Sequence, residues 1–266
     1  MMILSLLCFS IVVGLYGNIC VFQKKGLIGD VLGHSILPGL VLSLLLFNVK
    51  SYFLMLIFSI LFSYLAMKTI DFLKFQKSLD VSNIIAAVLS GFFGLGVIFM
   101  SVLKKSAIYS SSGISSIFYG NISAISNFDI SIILYFSILF LLIYLLFRNY
   151  FKFYTFDPSF FILTTKKEEL VNFLLNTILI FIVTLSVNIV GIILTTGLLI
   201  IPSLSSRNVS KSFFSQELFT VFCSFLPMLI GIIISLNFND IPTGPLIIVV
   251  SFVLFLFTYF YKRVLK

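Results

Sequence analysis

The sequence predicts an all-α, polytopic membrane protein with eight or nine transmembrane helices and one short cytoplasmic helix. Three observations carry that prediction. Hydrophobic residues make up 60% of the 266 positions, only 10% are charged, and the mean hydropathy is strongly positive, a balance foreign to soluble domains of this length. Apolar runs of about 18 or more residues recur along the chain, each long enough to cross a hydrocarbon core roughly 30 Å thick as a helix. Runs of that length make membrane helices and not a barrel, whose strands are about half as long.

Taken in order, the spans are expected at 2–22, 27–47, 51–67, 82–103, 128–147, 170–188, 190–206, 216–236 and 243–261. The first run has no basic residues before it and Lys24 and Lys25 after it, so it reads as an anchored helix with its N-terminus outside and not as a cleaved leader. With nine spans, every Lys and Arg except Lys50, Lys104 and Lys105 falls on the inner side, fourteen of 17, as the positive-inside rule requires. Merging 170–206 into one crossing plus a broken piece gives eight spans but moves Arg207 and Lys211 outside, so nine is preferred. The Ser- and Gly-rich stretch 106–127 is too polar to face lipid and reads as an external loop or a shielded half-helix. No linker or internal repeat divides residues 1–266, which are expected to form a single transmembrane domain.

The net charge of +8 is explained by inner loops, with no need of a nucleic acid. Cys8, Cys20 and Cys223 lie in apolar runs without CxxC spacing, which suggests three inert thiols. The inner loop at about 148–169 contains "FDPSFFILTTKKEE". Asp157 can cap a helix whose first residue is Pro158, since proline lacks the N–H that would be orphaned there. That helix would carry Phe160 and Phe161, with Ile162 and Leu163, too apolar a set for a surface facing only water. A docking partner or the lipid headgroup layer would cover it. Thr165 and Glu168 then make a capping-box pattern ahead of the next span.

The one histidine, His34, follows Asp30 by four residues in "GLIGDVLGHSILPG", so the two share a helix face with Cβ atoms about 5 to 6 Å apart. Imidazole and carboxylate together suit zinc, manganese or ferrous iron. An ionisable group at membrane depth costs on the order of 3 kcal/mol, which favours a protein-lined or water-filled path. Equally, Asp30 could pair with Lys24 or Lys25 while His34 makes an interhelical hydrogen bond, and spacing alone does not separate the two readings. Gly29 and Gly33 form a GxxxG pair for close packing, and Pro38 with Gly39 marks a kink. There is no P-loop, HExxH or nucleophile elbow, so no enzyme is indicated and ATP is not bound by this chain in the P-loop manner.

"KKGLIGDVLGHSILPGLVLSLLL" resembles the first signature of the permease subunits of bacterial ATP-binding-cassette importers for zinc, manganese and iron. "SSGISSIFYGNISAIS", "FDPSF", "VGIILTTGLLIIPSLSSR" and "DIPTGPLIIV" are similar, in the same order, to four further family motifs. The resemblance implies a permease in the bacterial inner membrane, most simply a homodimer, translocating a divalent metal, zinc first, with no permanently bound cofactor. It implies an external metal-binding receptor, and a separate cytoplasmic ATP-binding subunit seated on a coupling helix of Asp157, Pro158, Phe160 and Phe161. Asp30 and His34 take the metal-path positions. Gly191, Gly197, Pro202 and Arg207 match a second signature that serves helix packing and termination. The competing readings are an ion-coupled secondary carrier, with Asp30 and His34 as a proton relay, and a non-transporting scaffold.

Overall fold

A computed structural model describes residues 2–47, 51–75, 80–105, 126–165, 167–191, 195–237 and 242–264. Ten helices occupy them: α1 (Met2–Phe22), α2 (Gly26–Phe47), α3 (Tyr52–Phe75), α4 (Val81–Lys105), α5 (Asn127–Phe156), α6 (Pro158–Thr164), α7 (Glu168–Val190), α8 (Thr195–Val209), α9 (Phe213–Asn237) and α10 (Thr243–Val264). No strand occurs among the described residues. Eight of the helices are long and apolar enough to cross a membrane, so the protein is a multi-pass membrane protein. The stretch 106–125, with most of the Ser-rich segment, lies outside the described residues.

The ninth span, expected at 190–206, is described as helix only from Thr195. At Gly191 the backbone takes φ 88°, a left-handed conformation that glycine adopts without strain, and α7 ends there. The helix that follows, α8, has 15 residues, about 22 Å at the usual rise and short of the hydrocarbon thickness. Hydropathy could not show this, because the break leaves apolar residues on both sides.

The chain forms two compact units. In the first (1–26, 122–179 and 197–266), α1 packs against α5 and α9, and α9 against α10. A Cβ on Gly17 of α1 would fall 2.3 Å from the Leu199 carbonyl oxygen of α8, so only glycine permits that approach. Phe22, Phe156 and Phe213 meet where α1 and α5 end and α9 begins, and the Arg207 guanidinium lies 5.6 Å from the Phe22 ring. Arg207 thus sits at the same end of this unit as α6, although α8 is short.

The second unit (27–121 and 180–196) contains α2, α3, α4 and the end of α7. Gly96 of α4 abuts Leu37 of α2, and Phe62 of α3 meets Phe92 of α4 edge to face. Ile36, Leu40, Met55, Leu56, Ser59, Thr184 and Val187 surround a small gap where α2, α3 and α7 converge. The hydroxyls inside these helices are satisfied locally: Ser35 donates to Leu32 O, Ser43 to Leu40 O and Thr184 to Ile180 O. Back-bonding of this kind lets serine and threonine enter a membrane core without stranded donors.

Helix starts follow their capping residues. Ser126 accepts from the Asp129 N–H while Asp129 accepts from the Ser126 N–H, a reciprocal box at the head of α5. Asp157 accepts from the Phe160 N–H at 2.9 Å with Pro158 in the first turn, as the sequence predicts for α6. Thr165 departs from expectation. Its hydroxyl donates back to Phe161 O at 2.9 Å, so it closes α6 instead of opening α7, which starts at Glu168 with Glu168 and Glu169 in its first turn.

Candidate functional site

Asp30 and His34 lie on α2, whose residues from Ile28 to Leu44 are almost all buried. His34 Nε2 stands 3.7 Å from Asp30 Oδ1, beyond hydrogen-bond distance but close enough for one ion to touch both. With arms of about 2.1 Å to a central ion, two donors at this separation subtend roughly 120°, near the tetrahedral arrangement zinc prefers. The His34 side chain is 21% exposed and that of Asp30 42%. His34 Nδ1 is buried with no hydrogen-bond partner among the described residues, and its ring meets the Phe93 ring of α4 edge-on at 5.2 Å.

The interhelical hydrogen bond weighed from the sequence is therefore not what occupies His34. Of the two lysines weighed as partners for Asp30, Lys25 has its ammonium 3.5 and 3.4 Å from the Asn172 and Asn176 side-chain oxygens of α7. Among the described residues, no hydrogen bond engages the imidazole or the carboxylate, and the two groups approach each other to 3.7 Å. No group of three or more His, Cys, Asp or Glu side chains converges among the described residues, so Asp30 and His34 make at most a partial coordination shell among them.

Gly29, Gly33, Pro38 and Gly39 are all buried in the same helix. Gly39 has a specific reason to be glycine: a Cβ there would lie 2.3 Å from the Phe58 carbonyl oxygen, so α2 and α3 are in backbone contact one turn beyond His34. Gly197 faces the Ile248 side chain of α10 within unit 1, and Pro202 is buried inside α8. The final D-x-P-T-G motif is described only from Pro242, its Asp240 lying outside the described residues.

On α6, Phe161 is 2% exposed and sits edge-on to Tyr150 and Tyr154 of α5. Phe160 and Ile162 are exposed, and Leu163 is 86% exposed. A cavity of about 320 Å³ opens beside the helix, lined by Asn149, Tyr150, Phe153, Phe160, Phe161, Thr164 and Thr165. One aromatic ring thus seats the helix, while Phe160 borders the cavity and Ile162 and Leu163 are exposed.

Two polar constellations in unit 1 had not been singled out from the sequence. Glu217 of α9 accepts from Tyr144 and Arg148 of α5. Asn18 Oδ1 of α1 accepts from Ser203, Gln216 and Thr220. The available signal was a single acid and a single amide inside otherwise apolar runs, each expensive in lipid and so in need of a partner.

The chain matches the ABC 3 transport family over residues 1–262. It belongs to that family. It is 28% identical to the manganese transport system membrane protein MntC of Bacillus subtilis (strain 168) over 92% of its own length, and spans 56% of that protein. It is 26% identical to the zinc transport system membrane protein TroC of Treponema pallidum (strain Nichols), over 89% of this chain and 80% of that protein. Its fold is similar to that of PsaBC from Streptococcus pneumoniae in complex with Fab, with a TM-score of 0.85 and 24% identity over 100% of this chain and 94% of that one.

Proposed function

We propose that the chain is the permease of an importer that carries a divalent transition metal, zinc foremost, across the bacterial inner membrane, and that it works as a homodimer. The observation that carries this is the Asp30–His34 pair: two metal-ligating groups on one face of a membrane helix, 3.7 Å apart, neither hydrogen-bonded to another described side chain, in a member of a transport family. Within one copy the described residues supply no third ligand of these types, which suits a pathway site that must release its ion. The remaining ligands come from water, backbone or the second copy. Relatives bearing manganese and zinc names fit a nitrogen and oxygen pair, for which zinc outcompetes manganese and ferrous iron. An external metal-binding receptor would then set which ion is offered.

The energy source is a separate cytoplasmic ATP-hydrolysing subunit seated on α6. Support comes from the outward face of α6, where Phe160, Ile162 and Leu163 are exposed on a helix held by Phe161 alone among its large apolar residues. Leu163→Asp is expected to release a co-purifying ATPase subunit while leaving the amount of permease unchanged. Phe161→Ala should do more, removing the packing that seats α6 at a cost of about 3 kcal/mol. Affinity purification of the tagged variants from detergent-solubilised membranes, with the ATPase measured in each eluate, checks both. Retention of the ATPase by the Leu163→Asp variant would remove α6 as its seat.

A further inference from the structure

We propose that Glu217 is a latch that makes α5 and α9 move as one during transport, a positioning residue through which displacement of α6 reaches the rest of unit 1. The proposal rests on the permease reading and deepens it. The Glu217 side chain is 5% exposed. Both of its oxygens are engaged from α5: Arg148 Nη2 donates to Oε2, Arg148 Nε donates to Oε1 at 3.3 Å, and the Tyr144 hydroxyl donates to Oε1. Tyr144 and Arg148 are one turn apart, so a single face of α5 supplies the whole grip. The Arg148 guanidinium also lies 5.6 Å from the ring of Phe214, giving α5 a second hold on α9 one turn earlier.

The latch sits where force would enter. Tyr150 and Tyr154, which hold Phe161 of α6, follow Arg148 by two and six residues on the same helix. Gln216, next to Glu217, donates to Asn18 Oδ1 at 3.2 Å, and Thr220 does so at 2.9 Å, tying α9 to α1. The chain then runs from α1 through a three-residue turn into α2, which carries Asp30 and His34.

Apolar helix faces have no directional bond to stop one from sliding along the other. A bidentate, charge-assisted pair does fix register, and separating one that is buried strands a charge. During a stroke delivered to α6, then, α5 does not slip past α9; α9 and α1 follow it. A merely structural pair would stabilise the resting fold and leave the yield of each ATP turnover untouched, so the ratio of metal moved to ATP hydrolysed separates the two roles.

Glu217→Gln keeps the side-chain volume and an oxygen for Tyr144, and leaves Arg148 half-exposed to water. The complex of this variant with its co-purifying ATPase subunit, in proteoliposomes with Zn²⁺ as the transported ion, is expected to hydrolyse ATP at the wild-type rate. Zinc moved per ATP should fall about 10-fold, the scale of a typical inter-site coupling. The double variant Arg148→Glu with Glu217→Arg, which restores the pair in reverse, should recover the ratio. Uptake and hydrolysis falling in proportion, an unchanged ratio, or a Glu217→Gln chain that does not accumulate in the membrane would each overturn the latch. A swap that accumulates without recovering the ratio would overturn it too. A wild-type complex that hydrolyses ATP without moving any metal overturns the permease reading, and the latch with it.

Discussion

His34→Ala and Asp30→Asn are each expected to abolish metal uptake while leaving the amount of protein in the membrane unchanged. Fold and function separate here because neither group holds the fold. The pair is 3.7 Å apart with no hydrogen bond between its members, and His34 Nδ1 has no partner among the described residues. Removing a carboxylate at membrane depth relieves a cost on the order of 3 kcal/mol, and His34→Ala gives up only the edge-on contact with the Phe93 ring, so both variants are expected to keep α2 in place. Losing even an outer-shell partner of a metal ligand costs about 10 to 100-fold in affinity or activity, and losing one of the two proposed ligands should exceed that. Metal-dependent growth together with immunoblotting of membranes reads both quantities. Normal uptake by both variants would remove the pair from the pathway.

The second large effect is steric. Gly39→Ala places a methyl 2.3 Å from the Phe58 carbonyl oxygen, 2.7 Å from its carbon and 2.9 Å from the Ser59 nitrogen. All three are backbone atoms, so no rotamer change relieves the clash and α3 must back away from α2. Overpacking of this kind costs typically 1 to 3 kcal/mol, and here about 3 kcal/mol is expected because two helix backbones must part. The matched control is Gly91→Ala on α4, where an added Cβ meets nothing within 4 Å. It should leave stability unchanged or raise it by up to about 1 kcal/mol, since alanine is the better helix former. Thermal unfolding of the two purified variants, followed by the loss of monodisperse protein in detergent, compares them directly. Equal midpoints would mean that the α2–α3 contact is looser than the geometry shows.

What could be read from the sequence was whatever rests on local physics. The spans on either side of Lys24–Lys25 and the α6 start at Asp157-Pro158 follow from run length and from the proline's missing donor, and α1, α2 and α6 lie where those features put them. The reading of 190–206 as one unbroken helix missed the turn at Gly191 because hydropathy averages over a window and is blind to one residue. Gly191 at φ 88° ends α7 without any change in polarity. The Thr165–Glu168 pattern failed through competition: the same hydroxyl could reach forward to α7 or back to Phe161 O, and the shorter reach won.

At the candidate site, the i,i+4 spacing placed Asp30 and His34 on one face, but spacing carries no information on what else each side chain touches. Only the packed structure shows Lys25 beside Asn172 and Asn176 and the Phe93 ring beside His34. Glu217 went unnoticed because its partners, Tyr144 and Arg148, are about 70 residues away in the chain. No local periodicity marks such a long-range pair.

The most direct test is uptake by the purified complex in sealed proteoliposomes, with Zn²⁺, Mn²⁺ and Fe²⁺ offered separately and in competition, with and without ATP. A permease using Asp30 and His34 should accumulate divalent metal only when ATP and the cytoplasmic subunit are both present, with zinc the strongest competitor, and the His34→Ala complex should accumulate none. Metal accumulation by this chain alone, driven by a proton gradient without ATP, would contradict that role and identify a secondary carrier instead.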